Sequence, residues 1–385
     1  MTDSTRRQIL GVCTCLVLLG GAAYSWAGKP VPPPPPPLPG TVYFIYDTNP
    51  QVLNLQGNVL QMNADGSAKA ASPIVPPWEQ FDGDGIVPST KRYGTDNRRW
   101  WLVVLSSSDT VYRPDIYATK DGVNLIKIAE TVVRDNLDGT ATGLYFEGKV
   151  VWSNNDQDSC IFVAARRYVK DLATNTNIRH EYLLYRIDIS APDIQASAGN
   201  IVPVTDGDPR LVPLAVYQVP QGISAAYFGL GQFALAPSPD GNRFVIDFHD
   251  DSSSYPDLYL LDVTNGPVFF QAAALPVFQH DAYSIPEQVK WSPPSAASSR
   301  IVFQSGTILR TMNPDGTGMK TLVSSGGSWP CWSPDGSYLV YTQGTKKGNV
   351  SQYNIVRIPA AGGTAVNLTS DLDATFVKLA VGWLP

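Results

Sequence analysis

Cysteine is scarce in this chain of 385 residues: four in all, at 13, 15, 160 and 331. Two of them fall in the N-terminal apolar segment, so a disulfide framework is excluded. Histidine is scarcer, with three. Basic runs are missing too. Lys and Arg cluster only as pairs, Arg98-Arg99, Arg166-Arg167 and Lys346-Lys347, and the net charge is −6. A nucleic-acid backbone needs a concentrated positive face, so no nucleic-acid partner is expected. No G-x-S-x-G elbow and no G-x-G-x-x-G or Walker loop occurs, which removes the sequence marks of an α/β-hydrolase nucleophile and of phosphate cradles. Beyond the N-terminal segment there is no long run of apolar residues at helical spacing. What the chain has is 32 Gly, 32 Pro and 43% apolar residues. That mixture specifies many short strands joined by tight turns, an all-β protein.

The first forty residues read as an address and a spacer. Residues 1–27 carry Arg6 and Arg7, an apolar run from Ile9 to Ala23, and Ser25-Trp26-Ala27 at a cleavage position. This is the pattern of a secretory signal peptide, which places the protein in the periplasm or outside the cell of an exporting bacterium. Thr5-Arg6-Arg7-Gln8-Ile9-Leu10 also resembles a twin-arginine export signal. An uncleaved N-terminal anchor stays open as the one route to a membrane. Residues 28–40, with six consecutive prolines, form an extended polyproline tether. The domain expected to fold is 41–385.

Within it two sentences recur. The first is spelled KVVWSNNDQDSCIFVAA from Lys149, FALAPSPDGNRFVIDF from Phe233, QVKWSPPSAASSRIVFQS from Gln288 and WPCWSPDGSYLVYTQ from Trp329. The second includes NVLQMNADGSA (58–68), DIYATKDGVN (115–124), YLLYRIDIS (182–190), DLYLLDVTNG (257–266), ILRTMNPDGTG (308–318) and YNIVRIPAAGG (353–363). Each is a strand, a turn and a strand: Pro presets φ, Asp bonds nearby backbone, and Gly accepts positive φ. Two such hairpins make a four-stranded propeller blade, with strands a to d. Six second sentences lead to the expectation of a six-bladed β-propeller of four-stranded antiparallel blades. TVYFIYD (41–47) reads as a strand b lacking its strand a, and FVKLAVGWLP (376–385) as a strand a lacking its strand b. Pairing the two would close the ring.

The W-S-P-D-G and M-N-x-D-G-S sentences resemble the WD40-like (PD40) repeat of the TolB family, over about residues 41–385. One departure is plain: TolB carries an α/β domain before its propeller, and a proline tether stands in that place here. The resemblance implies a periplasmic propeller that binds other proteins. The functional expectation is therefore an exported, non-catalytic scaffold, a monomeric domain binding a protein or glycan of the cell envelope. The alternative is a metal-dependent carbohydrate-active lyase or hydrolase.

Loop lengths assign the expected binding surface. Short Asp-Gly turns fall on one face, and the long segments 74–84, 108–114, 166–180, 191–230, 249–256, 267–287 and 343–352 fall on the other. On that loop face His180, His249 and His280 follow one another on consecutive blades, with Asp250, Asp251 and Asp281 nearby. Nitrogen and oxygen donors of this kind suit Zn, Mn or Ca; the bland reading is three polar residues on loops, and no cofactor is the default. Trp78, Tyr217, Tyr227, Tyr255 and Tyr283 are the aromatics placed to stack on a ligand there. Asn154 to Ser159 alternates oxygen donors as a calcium loop does but lacks its glycine and distant glutamate, so it reads as a lengthened turn. Trp152, Trp291, Trp332 and Trp383 recur at one repeat position, which marks them as packing between blades. Cys160 and Cys331 fall on blades too far apart to bridge.

Overall fold

The computed structural model describes residues 38–47, 58–72, 86–106, 114–146, 149–155, 157–220, 229–249, 255–270, 276–280 and 285–385. All lie in one folded unit, Pro37–Pro385. Its described strands form sheets of antiparallel hairpins with one parallel pairing, at Val268–Phe269, and the one α-helix among the described residues is the single turn and a half at Ala191–Ala196.

Four sheets have four strands. One runs Val377–Leu384, Thr41–Asp47, Asn58–Asn63 and Ala70–Ala71 from its inner strand outward. The others run outward from Ile86–Pro88, Pro286–Trp291 and Gly327–Trp332. A fifth, Gly229–Pro237 with Arg243–His249 and Asp257–Asp262, has three. The remaining sheet has seven: Val150–Trp152, Ile161–Asp171, Thr176–Ile187 and Leu211–Gln218, joined by Val132–Asp135, Thr140–Tyr145 and Val268–Phe269.

The expectation of six four-stranded blades is thereby corrected. The molecule has five blades, four of them four-stranded and one three-stranded, and a seven-stranded sheet that is not a blade of that kind. Two physical causes account for it. Asn136-Leu137-Asp138-Gly139-Thr140 makes a hairpin of its own: Asn136 Nδ2 donates to Thr140 Oγ1 at 2.8 Å and the Thr140 N–H to Asp138 Oδ1 at 3.0 Å. That hairpin pairs along the outer half of the long strand Ile161–Asp171, Arg166 opposite Tyr145 and Asp171 opposite Thr140. Second, Val268–Phe269 leaves the three-stranded blade and pairs in parallel with Ala215 and Val216 of the seven-stranded sheet.

Val377–Leu384 lies antiparallel to Thr41–Asp47, with Trp383 opposite Val42 and Gly382 opposite Tyr43, and a bulge between Tyr43 and Phe44. One apolar cluster fills each space between successive sheets. Trp100, Leu102 and Ile116 meet Trp152, Ile161 and Leu183 in one space, and Phe162 and Leu184 meet Phe244 and Ile246 in the next. Val302 and Leu309 meet Trp332 and Leu339 in another. Because each sheet is covered on both sides, its second strand is buried almost throughout, as in Phe244 to Phe248 and Ile161 to Ala165, and alternation with polar residues is lost.

The recurrent tryptophans belong to these spaces. Trp152 donates its ring N–H to the Val87 carbonyl at 3.2 Å, and Trp332 to the Lys290 carbonyl at 3.1 Å, each reaching the inner strand of the preceding sheet. Trp383 donates to the Pro39 carbonyl at 2.9 Å. Trp291 stays within its own turn, on Ser299 Oγ at 2.7 Å. Cys160 and Cys331 are free and buried, and burial pushes each thiol up to about 11.

Candidate binding site

A serine follows the repeat tryptophan at Trp152, Trp291 and Trp332 and stands at the same place after Pro88 and Pro237, and it organises the mouth of the ring. Ser89, Ser153, Ser238, Ser292 and Ser333 are all buried. Each donates its N–H to the carbonyl that begins the next strand: Trp100, Cys160, Arg243, Arg300 and Tyr338. The serine hydroxyl accepts a backbone N–H in return, from Trp100, Arg243, Arg300 and Tyr338 at 2.9–3.0 Å. In the longer turn at Ser153 the donor is Ser159, at 2.8 Å. A serine fits because one small side chain satisfies a backbone donor that has no ladder partner at the hairpin's closed end.

Clamped this way, the turns surround a cavity of about 210 Å³. Every sheet contributes to its wall, which is chiefly apolar. Pro88, Pro237, Pro293, Pro334 and Pro385 stand around it, and Trp152, Trp291, Trp332 and Trp383 expose edges to it. Asn154 reaches across the ring, donating at 3.4 Å to the carbonyls of both Pro237 and Ser292. Below, beside Gln288 and Lys290, the interior narrows to voids of about 20 Å³, each near the room of one water molecule.

One side of the mouth is held by buried charge. Asp158 accepts from the Thr90 N–H at 2.8 Å, the Thr90 hydroxyl at 2.9 Å and the Tyr93 hydroxyl at 2.7 Å. Burial nonetheless raises its pKa, against the pull of those bonds. Arg99 is buried and donates to the carbonyls of Ser89, Thr90 and Pro385, and burial lowers its pKa. The arrangement fixes wall shape and offers an apolar surface with amide and carbonyl groups at its rim.

The residues favoured from loop lengths are placed as follows. Trp78, Tyr227, Asp250, Asp251, Asp281 and Tyr283 lie outside the described residues. Tyr217 is buried against Phe248 and Phe270. His180 is buried and stacks on Tyr182, with ring centroids 5.4 Å apart, and neither ring nitrogen has a hydrogen-bond partner among the described residues. Burial, helped by the Arg166 charge, pushes it down to about 4. His249 sits half-buried at the end of its strand, opposite Gly229. The structure brings Tyr255 and His280 together, with centroids 5.6 Å apart, and joins His280 Nδ1 to Asp257 Oδ1 at 2.7 Å. Among the described residues no three His, Cys, Asp or Glu side chains gather as a metal site. The Asn154–Ser159 turn is spent on internal bonds, such as Asn155 Nδ2 to Ser159 Oγ at 2.9 Å.

The cavity therefore opens on the short-turn face, opposite the one that loop lengths favoured. Its proline ring is visible in the sequence as Pro88, Pro237, Pro293 and Pro334 beside the serine position. Nothing in the sequence signals Arg99 or Asp158, which meet Pro385 and Thr90 across long stretches of chain.

No protein-family model matches the chain, and no curated protein does. Solved structures do. The propeller domain of the trilobed protease from Pyrococcus furiosus matches at 11% identity, over 75% of this chain and 99% of that one, with a TM-score of 0.28. Prolyl oligopeptidase B from Galerina marginata matches in its apo form at 11% identity, over 86% of this chain and 45% of that one, TM-score 0.41. The same enzyme bound to a 35mer substrate matches at 13% identity, over 87% and 43%, TM-score 0.40. This chain thus spans less than half the length of the oligopeptidase. The likeness concerns fold alone, and it is with propeller structures that this chain is similar.

Proposed function

We propose that the chain is an exported, non-catalytic propeller scaffold of the TolB kind, which receives a protruding apolar segment of a cell-envelope protein in the funnel on its short-turn face. The observation that supports this reading is the funnel itself. Its wall of prolines and tryptophan edges is drawn from every sheet, so its shape is fixed by the whole ring. At about 210 Å³ it is smaller than a typical site for a drug-sized ligand, and it suits one or two large side chains of a partner. Burying such an anchor in a rigid, desolvated pocket is where binding energy concentrates in protein interfaces. Export rests on the signal-like pattern of residues 1–27.

Site-specific photo-crosslinking in an exporting bacterium tests the reading. A photoreactive residue at Thr90, on the funnel wall, is expected to capture one envelope protein, and Pro293→Arg is expected to abolish the adduct. The same probe at Leu172, exposed on the opposite face, is expected to capture none. Adducts from Leu172 with none from Thr90, or retention of the full-length chain in the cytosol, would overturn it.

A further inference from the structure

A second cleft, separate from the funnel, opens on the seven-stranded sheet. It is a cavity of about 420 Å³ bounded by Thr176–Ile187, Leu211–Gln218 and the turn around Gly207. Its floor is apolar, including Leu183 and Val216. Its wall is a fixed charge network. Arg167 donates through Nη2 to the Tyr185 hydroxyl at 2.7 Å and to Asp206 Oδ1 at 2.6 Å, and its Nη1 lies 3.6 Å from Glu181 Oε2. Arg179 donates through Nε to Glu181 Oε1 at 2.8 Å. Phe269 also lines the cleft, 79% exposed, its backbone held in parallel pairing with Val216.

Single exposed aromatics are ordinary on protein surfaces. This one borders a cavity beside planar charged groups that are already oriented. On the lining Arg167 and Arg179 are balanced by Glu181 and Asp206, and the one further charge, Asp208, is paired at 2.6 Å with Arg210 just outside it, so the donors and acceptors there carry little net charge. Guanidinium and carboxylate groups keep hydrogen-bonding positions that these bonds do not use, here Arg179 Nη1 and Asp206 Oδ2. A hydroxyl donates and accepts at once, so neighbouring hydroxyls match such a pair, and the C–H face of a sugar ring covers an aromatic face. A charged ligand would meet as much repulsion as attraction. We propose that this cleft binds a neutral oligosaccharide, one ring resting on Phe269 and its hydroxyls shared between Arg179 and Asp206. The proposal stands independently of the funnel.

Calorimetric titration of the full chain with the β-1,4 tetramers of glucose and of N-acetylglucosamine, and with tetragalacturonate as the charged control, tests it. Binding of a neutral tetramer is expected, weakened about tenfold by Phe269→Ala, with the melting temperature of that variant unchanged. Pro293→Arg in the funnel is expected to leave the affinity as it was. The proposal is overturned if neither neutral tetramer binds at up to ~10 mM, if the charged tetramer binds more tightly, or if Phe269→Ala keeps its affinity within twofold.

Discussion

The serine-clamped turns of the short-turn face and the seven-stranded sheet are built on different plans. Around the mouth, one local device recurs: a buried serine closes the hairpin, and in most copies a tryptophan before it packs against a neighbouring sheet. The seven-stranded sheet keeps one copy of that device, at Trp152 and Ser153, and then departs from it. An extra hairpin lengthens one edge, a strand from the next blade joins the other, and Glu181 and His180 are buried side by side in one of its strands. Repetition builds a wall whose shape no single residue sets. Departure from it makes room for a cleft with individual chemistry.

Breaking the repeated device should have the largest effect. Trp332→Ala empties a shared space between sheets and removes the bond to the Lys290 carbonyl, and is expected to cost about 3–5 kcal/mol in denaturant unfolding. Gly336 comes next. It has φ +69°, and a Cβ there would stand 2.4 Å from the Ala296 Cβ, so Gly336→Ala is expected to cost about 2–3 kcal/mol.

On the seven-stranded side the test is pH. His180 has a folded-state pKa near 4, below the unfolded value near 6.5, so the unfolded chain binds the proton first. The stability that depends on its neutrality is complete above pH 6.5 and is lost as pH falls toward 4. Unfolding free energy should drop by about 2 kcal/mol between pH 7 and pH 5, and His180→Phe, which keeps the stack on Tyr182, should remove that slope. An equal slope in the variant would place the titrating group elsewhere. The smallest of these effects sharpens the serine rule: Ser333→Ala leaves the Tyr338 N–H without its acceptor and is expected to cost about 1–2 kcal/mol. A neutral result there would show that the tryptophan alone carries the device.

Much of the scaffold is legible in the order of residues alone. Short-range chemistry is local, so Ser-Pro-Asp-Gly names its own turns, and similar environments between sheets bring the same tryptophan back at Trp152, Trp291, Trp332 and Trp383. The same logic holds at Asn136-Leu137-Asp138-Gly139-Thr140, which matches Asn63-Ala64-Asp65-Gly66-Ser67 and Asn313-Pro314-Asp315-Gly316-Thr317 in spelling and in its Asn-to-hydroxyl bond. That third copy encodes the extra hairpin, which a count of six blades leaves out. The move of Val268–Phe269 to a neighbouring sheet has no comparable signal, because two residues carry too little pattern to choose a partner.

The binding surfaces are another matter. Loop length points to one face, while the funnel forms on the other, where the repeat tryptophans and the prolines beside them converge from six sheets. The amino-acid sequence by itself determined the strands, their turns and the tryptophans that join them, since each depends on neighbours a few residues away. Only the tertiary structure decided which sheet received the spare strands, where the cavities opened, and that Asp158 would be buried against Thr90 and Tyr93 and Arg99 against the Pro385 carbonyl. Those outcomes depend on contacts between segments tens to hundreds of residues apart, and no local pattern encodes them.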